Sequence, residues 1–208
     1  MGRKRAFDTD AVLAAAANAF RRHGYKDISV AELEKATGLV SGSIYNAFGD
    51  KAGLFKAALR HYVHGFVGQR IAAHAGEDAT LEDLEGLFLS VFEPPLADGY
   101  GCLVTNSIVE FGKSDGIASA DISDALAMLR RAIDGVLSRE LGCRAGDTAT
   151  LRLLALYHGV LALSRSPIAL DAMAEMVRAE FRRLKDLREA AGSPHPPSRQ
   201  PGDLSCLP

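Results

Sequence analysis

Apolar positions recur every three or four residues along most of this chain, and the alternating pattern of a strand is scarce, so the expected fold class is all-α. Val12, Leu13, Ala16 and Phe20 make one face of a first helix, about Thr9 to His23, capped by Asp8 or Thr9 and stopped at Gly24. Ser29 stands three residues before Glu32, a capping-box spacing, and opens a short helix ending near Thr37-Gly38. A third short helix is predicted from Ser41 to Phe48, and Asp50 caps a longer one from Lys51 to about His74. After Gly76–Ala79, Thr80-x-x-Asp83 opens a helix that stops before Pro94-Pro95. Residues 96–101 read as a turn. Helices follow over 101–113, 119–141, 148–164 and 167–190, the third capped by Asp147 and the last with Pro167 in its first turn. The tail 192–208 holds five of the eight prolines and little apolar material, which predicts disorder.

Two of these helices carry more apolar surface than a single stripe. Leu151, Leu153, Leu154, Leu156, Tyr157, Val160, Leu161 and Leu163 surround the helix 148–164, which therefore needs cover on two sides. On the helix 167–190, Met173, Val177, Phe181, Leu184 and Leu187 form a stripe opposite Arg178, Arg182, Arg183 and Lys185. Either both helices finish a monomeric core, or they pair with their copies across a two-fold axis in a four-helix bundle.

Residues 29–48 hold the most informative constellation. Two helices of about eight residues are joined by a three-to-four-residue turn beginning at Gly38, the layout of a helix-turn-helix. Val30, Leu33, Ile44 and Phe48 point inward and Leu39 fills the corner. The outward positions of the second helix are small or polar: Ser41, Gly42, Ser43, Tyr45 and Asn46. Such a face suits a DNA major groove, which admits a helix but no bulky packing around it. Gly42 permits close approach, serine hydroxyls meet bases or phosphates, Asn46 pairs with adenine, and Tyr45 reaches a phosphate or sugar. Ser29 and Lys51 stand at two further helix N-termini, where an anion is favoured, and Arg3, Lys4 and Arg5 form a basic arm suited to a neighbouring groove. The plainer alternative is a helical hairpin with a solvated polar face.

Charge sharpens this picture. The 208 residues carry a net −2, but residues 1–70 hold eleven Lys/Arg against six Asp/Glu, while residues 71–208 hold thirteen against twenty. A basic N-terminal third on an acidic remainder suggests one part that meets a polyanion. At 48% apolar and 24% charged, the composition is that of a globular chain. No run of about 18 apolar residues occurs, so no membrane span is expected. Met1–Asp10 has basic residues without an apolar core behind them, so no secretory signal is expected either. The three cysteines, Cys102, Cys143 and Cys206, are widely spaced and form no CxxC pair, which favours a reducing cytoplasm over a disulfide framework or zinc site. His61 and His64 share a helix face without an evident third ligand, so neither metal nor cofactor is expected. HExxH, GxSxG and phosphate-cradling glycine loops are missing, which leaves no basis for an enzyme.

The segment Val12 to Phe55 resembles the DNA-binding domain of the TetR (tetracycline-repressor-like) family of bacterial transcription regulators. The matching residues are Phe20…His23-Gly24-Tyr25, Ile28-Ser29-Val30-Ala31-Glu32-Leu33, Ala36-Thr37-Gly38, and Gly42-Ser43-Ile44-Tyr45-Asn46-Ala47-Phe48-x-x-Lys51-x-x-Leu54-Phe55. Family members often have Ser and Lys where this chain has Val40 and Ser41, so the usual cap and one phosphate-contacting lysine are missing and Ser41 is expected to cap one position later. The resemblance implies a DNA-binding helix-turn-helix domain over 1–50, joined by a fourth helix to a ligand-binding and dimerisation domain of about five helices over 51–191. It implies a homodimer, a repressor, on a palindromic double-stranded operator with recognition helices about 34–36 Å apart. A small-molecule inducer releases the DNA through a preference of ~1–3 kcal/mol between conformations. The expected dimer helices are 148–164 and 167–190. The expected pocket is lined by Phe88, Phe92, Leu103, Phe111, Met128 and Tyr157, with Asn106, Ser107 or His158 as polar anchors. Gly101-Cys102-Leu103 is similar to a segment in a subset of the family, some of whose members sense electrophiles or oxidants. A helix N-terminus favours the reactive thiolate there, although a small buried packing cysteine is the plainer alternative.

Overall fold

The computed structural model describes residues 7–112, 116–143 and 147–192, and among them all regular structure is helical. The predicted arm Arg3-Lys4-Arg5 and nearly all of the tail 192–208 lie outside the described residues. The helices are α1 (Thr9–His23), α2 (Val30–Thr37), α3 (Ser41–Phe48), α4 (Lys51–Tyr62), α5 (Gly68–His74), α6 (Leu81–Leu89), α7 (Leu103–Phe111), α8 (Ser119–Leu141), α9 (Thr148–Leu163) and α10 (Leu170–Gly192).

Local chemistry explains most boundaries. Asp8 accepts from the N–H groups of Asp10 and Ala11 to cap α1, and Thr80 and Asp83 form a reciprocal box on α6. The expected helix from Lys51 to His74 is interrupted by a π-helical turn at Val63–Val67, which contains Gly65 and is followed by Gly68, both of which lower the preference for a regular α turn. The expected start of the last helix at Pro167 is corrected to Leu170. Residues beyond α9 stay in a turn because Ser164 and Ser166 close the helix end. Their N–H groups donate to Val160 O and Leu163 O at 2.8 and 2.9 Å, and their hydroxyls to Leu161 O and Leu163 O.

The described residues fall into two compact units, one taking the chain up to Gln69 with Tyr100–Leu126, the other Arg70–Gly99 with everything from Ala127. In the first, Phe20, Ile28, Leu33, Ile44, Leu54, Phe55 and Leu59 are buried. Phe20 meets Phe55 edge-on at 4.9 Å, and Tyr25, Phe55 and Phe111 close a ring cluster at 5.1–5.5 Å between centroids. Phe111 thus brings α7 into the same core as α1 and α4.

Polar groups clamp α7 to the end of α1. Buried Arg21 donates to Gly101 O at 2.9 Å, and Asn106 Nδ2 donates to Arg21 O and Tyr100 O at 3.1 and 3.0 Å. The chain leaves α1 through Gly24 at φ 79°, a conformation that favours glycine. That corner aims two successive N–H groups at Glu110: Tyr25 N donates to Oε2 at 2.9 Å and Lys26 N to Oε1 at 2.7 Å.

In the second unit, Phe88 packs edge-on against Tyr157 and Phe181, each at 5.1 Å. Arg70 ties Tyr157 Oη, Leu87 O and Ser90 Oγ together. Arg188 grips Glu82 through both terminal nitrogens and Glu140 at 2.6 Å, and its hydrogen bonds hold the Glu82 carboxyl down to about 2.

Replacing Glu110 by Ala strands both corner N–H groups and is expected to lower unfolding free energy by ~1–3 kcal/mol in urea melts. A loss of only a few tenths would show that water serves the corner equally well.

Candidate nucleic-acid interface

The pair α2–α3 is built from its caps. Ser29 Oγ accepts from Glu32 N at 3.2 Å while Glu32 Oε2 accepts from Ser29 N at 2.7 Å, the predicted capping box. These bonds from Ser29 also hold the Glu32 carboxyl below its usual value. Helix α2 ends at Gly38 in the left-handed region, φ 70° and ψ 9°, which turns the chain toward α3.

Helix α3 is capped differently from the expectation. It starts at Ser41 itself, so Val40 occupies the N-cap position and makes no side-chain cap bond. The Ser41 N–H is instead satisfied by the carboxylate of Glu34, reaching across from α2. Sequence reasoning missed Glu34 because the capping residue lies seven positions back. The available signal was an apolar residue at a helix start with an acidic side chain on the preceding helix.

Ile44 is 1% exposed and locks α3 inward, while Gly42, Tyr45 and Asn46 are exposed and Ser41 and Ser43 half-buried. Gly42 has helical geometry, and a Cβ built there would meet nothing within 4 Å. Gly53 at the start of α4 contrasts with it, because a Cβ there would strike the Phe48 carbonyl. The fold therefore requires glycine at position 53 and not at 42. Glycine in a helix costs about 0.5–1 kcal/mol relative to alanine. Position 42 thus faces open space, as do the helical positions 65 and 159, where a Cβ would also meet nothing within 4 Å.

Other predicted positions surround this face. Ser29 is exposed with its hydroxyl engaged to Glu32 at 2.7 Å. Lys51 is half-buried, its ammonium 4.9 Å from the Tyr25 ring centre and 3.4 Å from Lys26 O. An open groove between α1 and α2 is lined by Asn18, Arg22, His23 and Lys35 among others.

Residues 12–58 match the family described as bacterial regulatory proteins, tetR family. That stretch is a domain of this family, and the chain as a whole is similar to TetR-family regulators. The HTH-type transcriptional repressor ComR of Escherichia coli (strain K12) is 29% identical over 144 residues, which cover 65% of this chain and 66% of ComR. The HTH-type transcriptional regulator YezE of Bacillus subtilis (strain 168) is 27% identical over 191 residues, covering 89% of this chain and 95% of YezE. Among solved structures, a cysteine mutant of the TetR family regulator CifR complexed with 26 bp operator DNA aligns at a TM-score of 0.66 and 27% identity, over 86% of this chain and 98% of that one.

The residues expected to hold a ligand fall in both units. In the first, Cys102 is 5% exposed at the N-cap of α7, and Tyr62 Oη donates to its Sγ at 3.6 Å. Both donor bonds of Asn106 go to backbone carbonyls, and Phe111 packs against Tyr25 and Phe55. In the second, Phe88 and Tyr157 share a ring contact, and Phe92 is half-buried in a 3₁₀ turn at Ser90–Phe92.

Proposed function

We propose that this chain is a repressor that enters the major groove of a palindromic operator with α3 and leaves it when a small molecule binds. The observation that carries this is Gly42, a helical glycine exposed over open space, on a face whose neighbours are hydroxyls, an amide and a phenol. ComR bears the name repressor and CifR is seen on operator DNA, which supports the same reading. Ser41, Gly42, Ser43, Tyr45 and Asn46 meet the groove, Ser29 and Lys51 its flanking phosphates, and Arg3, Lys4 and Arg5 the neighbouring groove. The DNA-binding domain is assigned to residues 1–50 and ligand binding and dimerisation to 51–191. The proposed ligand contacts are Cys102, Asn106 and Phe111 within the first unit and, separately, Phe88, Phe92 and Tyr157 within the second. No catalytic role, metal or cofactor is proposed. Among the described residues no helix is long and apolar enough to cross a membrane. A cytoplasmic location is part of the proposal, although the expectation of no disulfide is corrected at Cys143, which is disulfide-bonded.

A second copy covers α9 and α10. Leu151, Ala155 and Ala162 are exposed along α9, and Ala172, Met176 and Ala179 along α10, at the spacings of one helix face. Small and apolar residues in two such rows suit a four-helix bundle formed with the partner's copies.

A second reading of the trigger rests on Cys102. Its sulfur is buried at a helix start with a phenol hydroxyl aimed at it, so alkylation or oxidation there has to displace packed groups. The CifR chain seen on operator DNA is a cysteine mutant, which supports testing Cys102.

Gly42→Ala separates folding from binding. The variant is expected to melt higher, by ~0.5–1 kcal/mol of stability. It should shift duplexes from the DNA upstream of its own gene about tenfold more weakly, ~1.4 kcal/mol. Unchanged affinity, or wild-type binding that ignores added salt, overturns the groove assignment. Light scattering should find wild type at twice 22.1 kDa and a Leu151→Glu, Met176→Glu double variant at the single mass. A monomeric wild type ends the dimer assignment. N-ethylmaleimide should release wild type but not Cys102→Ser from the shifted duplex, and equal release removes the cysteine reading.

A further inference from the structure

We infer that Val40 is a specificity-determining residue that recognises the C5-methyl group of a thymine, an inference that rests on the DNA-binding role proposed for α3. Val40 holds the N-cap position of α3 in extended geometry, φ −74° and ψ 154°, and is 68% exposed. A valine side chain there gives the helix no cap, since caps favour Ser, Thr, Asp or Asn, whose oxygens accept from the first N–H groups. Of Val40 only the carbonyl serves, accepting from the N–H groups of Ser43 and Ile44 at 2.8 and 3.1 Å. Glu34 takes the Ser41 N–H, so the helix starts without a side-chain cap from Val40. The Val40 side chain thus takes no part in capping and is left as an apolar group at the leading end of a polar face.

Glu34 decides what that end of α3 can recognise. With its carboxylate on the first N–H of the helix, a phosphate approaching the same amide meets a like charge. Anion capture is disfavoured, and contact by the Val40 methyls remains. In the major groove, the apolar feature on a base edge is the thymine methyl. Gly42, two residues on and without a side chain, lets the backbone come close enough for the isopropyl group to touch the groove floor. Tyr45 is the other large exposed apolar side chain of this segment, 46% exposed, and it carries a hydroxyl suited to phosphate. The division is a phenol for the backbone and an isopropyl group for a methyl.

The test starts with selection of duplexes from a random pool by the full-length chain, followed by substitution of each thymine by uracil, which removes the methyl and nothing else. Wild type should lose about fourfold in affinity per half-site at one symmetry-related thymine, the equivalent of ~0.8 kcal/mol for one methyl taken out of water. Val40→Ala should bind thymine and uracil equally at that position while keeping its helical circular dichroism. Val40→Ser restores a cap hydroxyl and should melt higher than Val40→Ala while being equally blind to the methyl. Uracil scans that coincide for wild type and Val40→Ala overturn the role of Val40 and leave the DNA-binding role standing. A pool from which no duplex is enriched removes the DNA-binding role itself, and the inference with it.

Discussion

One carboxylate organises the first unit. The chain has to reverse direction between α1 and α2, and at Gly24 it does so with a positive φ that leaves the next two N–H groups parallel and outside any helix. Glu110 takes both. Two bonds to an ionised acceptor are worth more than two neutral ones, and their geometry fixes a plane. Tyr25 is then held twice, by its amide and by its ring, which packs on Phe55 and Phe111 with the Lys51 ammonium over its face. Three residues after the last bonded amide, Ser29 opens α2. The direction in which α2 starts, and so the presentation of α3, follows from where Glu110 stands.

The acidic residues near the proposed DNA face pose a problem of sign. Two carboxylates facing phosphates at about 4 Å would each cost ~1 kcal/mol even in water. Both are turned to other uses. Glu32 is bound to Ser29 and Glu34 to Ser41, each at a helix start where backbone dipoles favour negative charge. Such groups cap helices that would otherwise lack a partner for their first amides, and their charge is partly compensated before any nucleic acid arrives. Helix α3 itself has no acidic residue and no basic one. Its face is left to shape and hydrogen bonding, and the next basic residue in the chain is Lys51 at the start of α4.

The features legible in the sequence were those written in local spacing. Ser29 to Glu32, Gly38, Asp50 and Thr80 to Asp83 each act within about four residues, and helices α1 to α3 lie where these signals placed them. The misses depended on partners distant in the chain. Glu34 reaches seven residues forward, Glu110 reaches back more than eighty, and no periodicity marks either. The start of α10 was misplaced because Pro167 is compatible with a first turn, and nothing local announced that Ser164 and Ser166 would bend the chain first. For Phe111 and Asn106, apolar and polar character was visible, but their packing against the end of α1 depends on how α7 docks.

Helix α7 links two kinds of chemistry over a short distance. Its nine residues span ~13 Å at 1.5 Å per residue. Cys102 sits at one end and Glu110 in the last turn of the other. Between them Asn106 and Arg21 tie its first half to α1, so the helix is held at both ends and cannot slide without breaking charged or buried hydrogen bonds. A rigid element held this way responds to a disturbance at its start by tilting or by releasing one clamp. The clamps nearest that start are Arg21 on Gly101 O and Asn106 on Arg21 O and Tyr100 O, with the Glu110 pair at the far end. If α7 tilts far enough to break that pair, the corner at Gly24 loses the two bonds that Glu110 accepts. A signal arriving at the Cys102 end would therefore reach the proposed DNA face through a single helix.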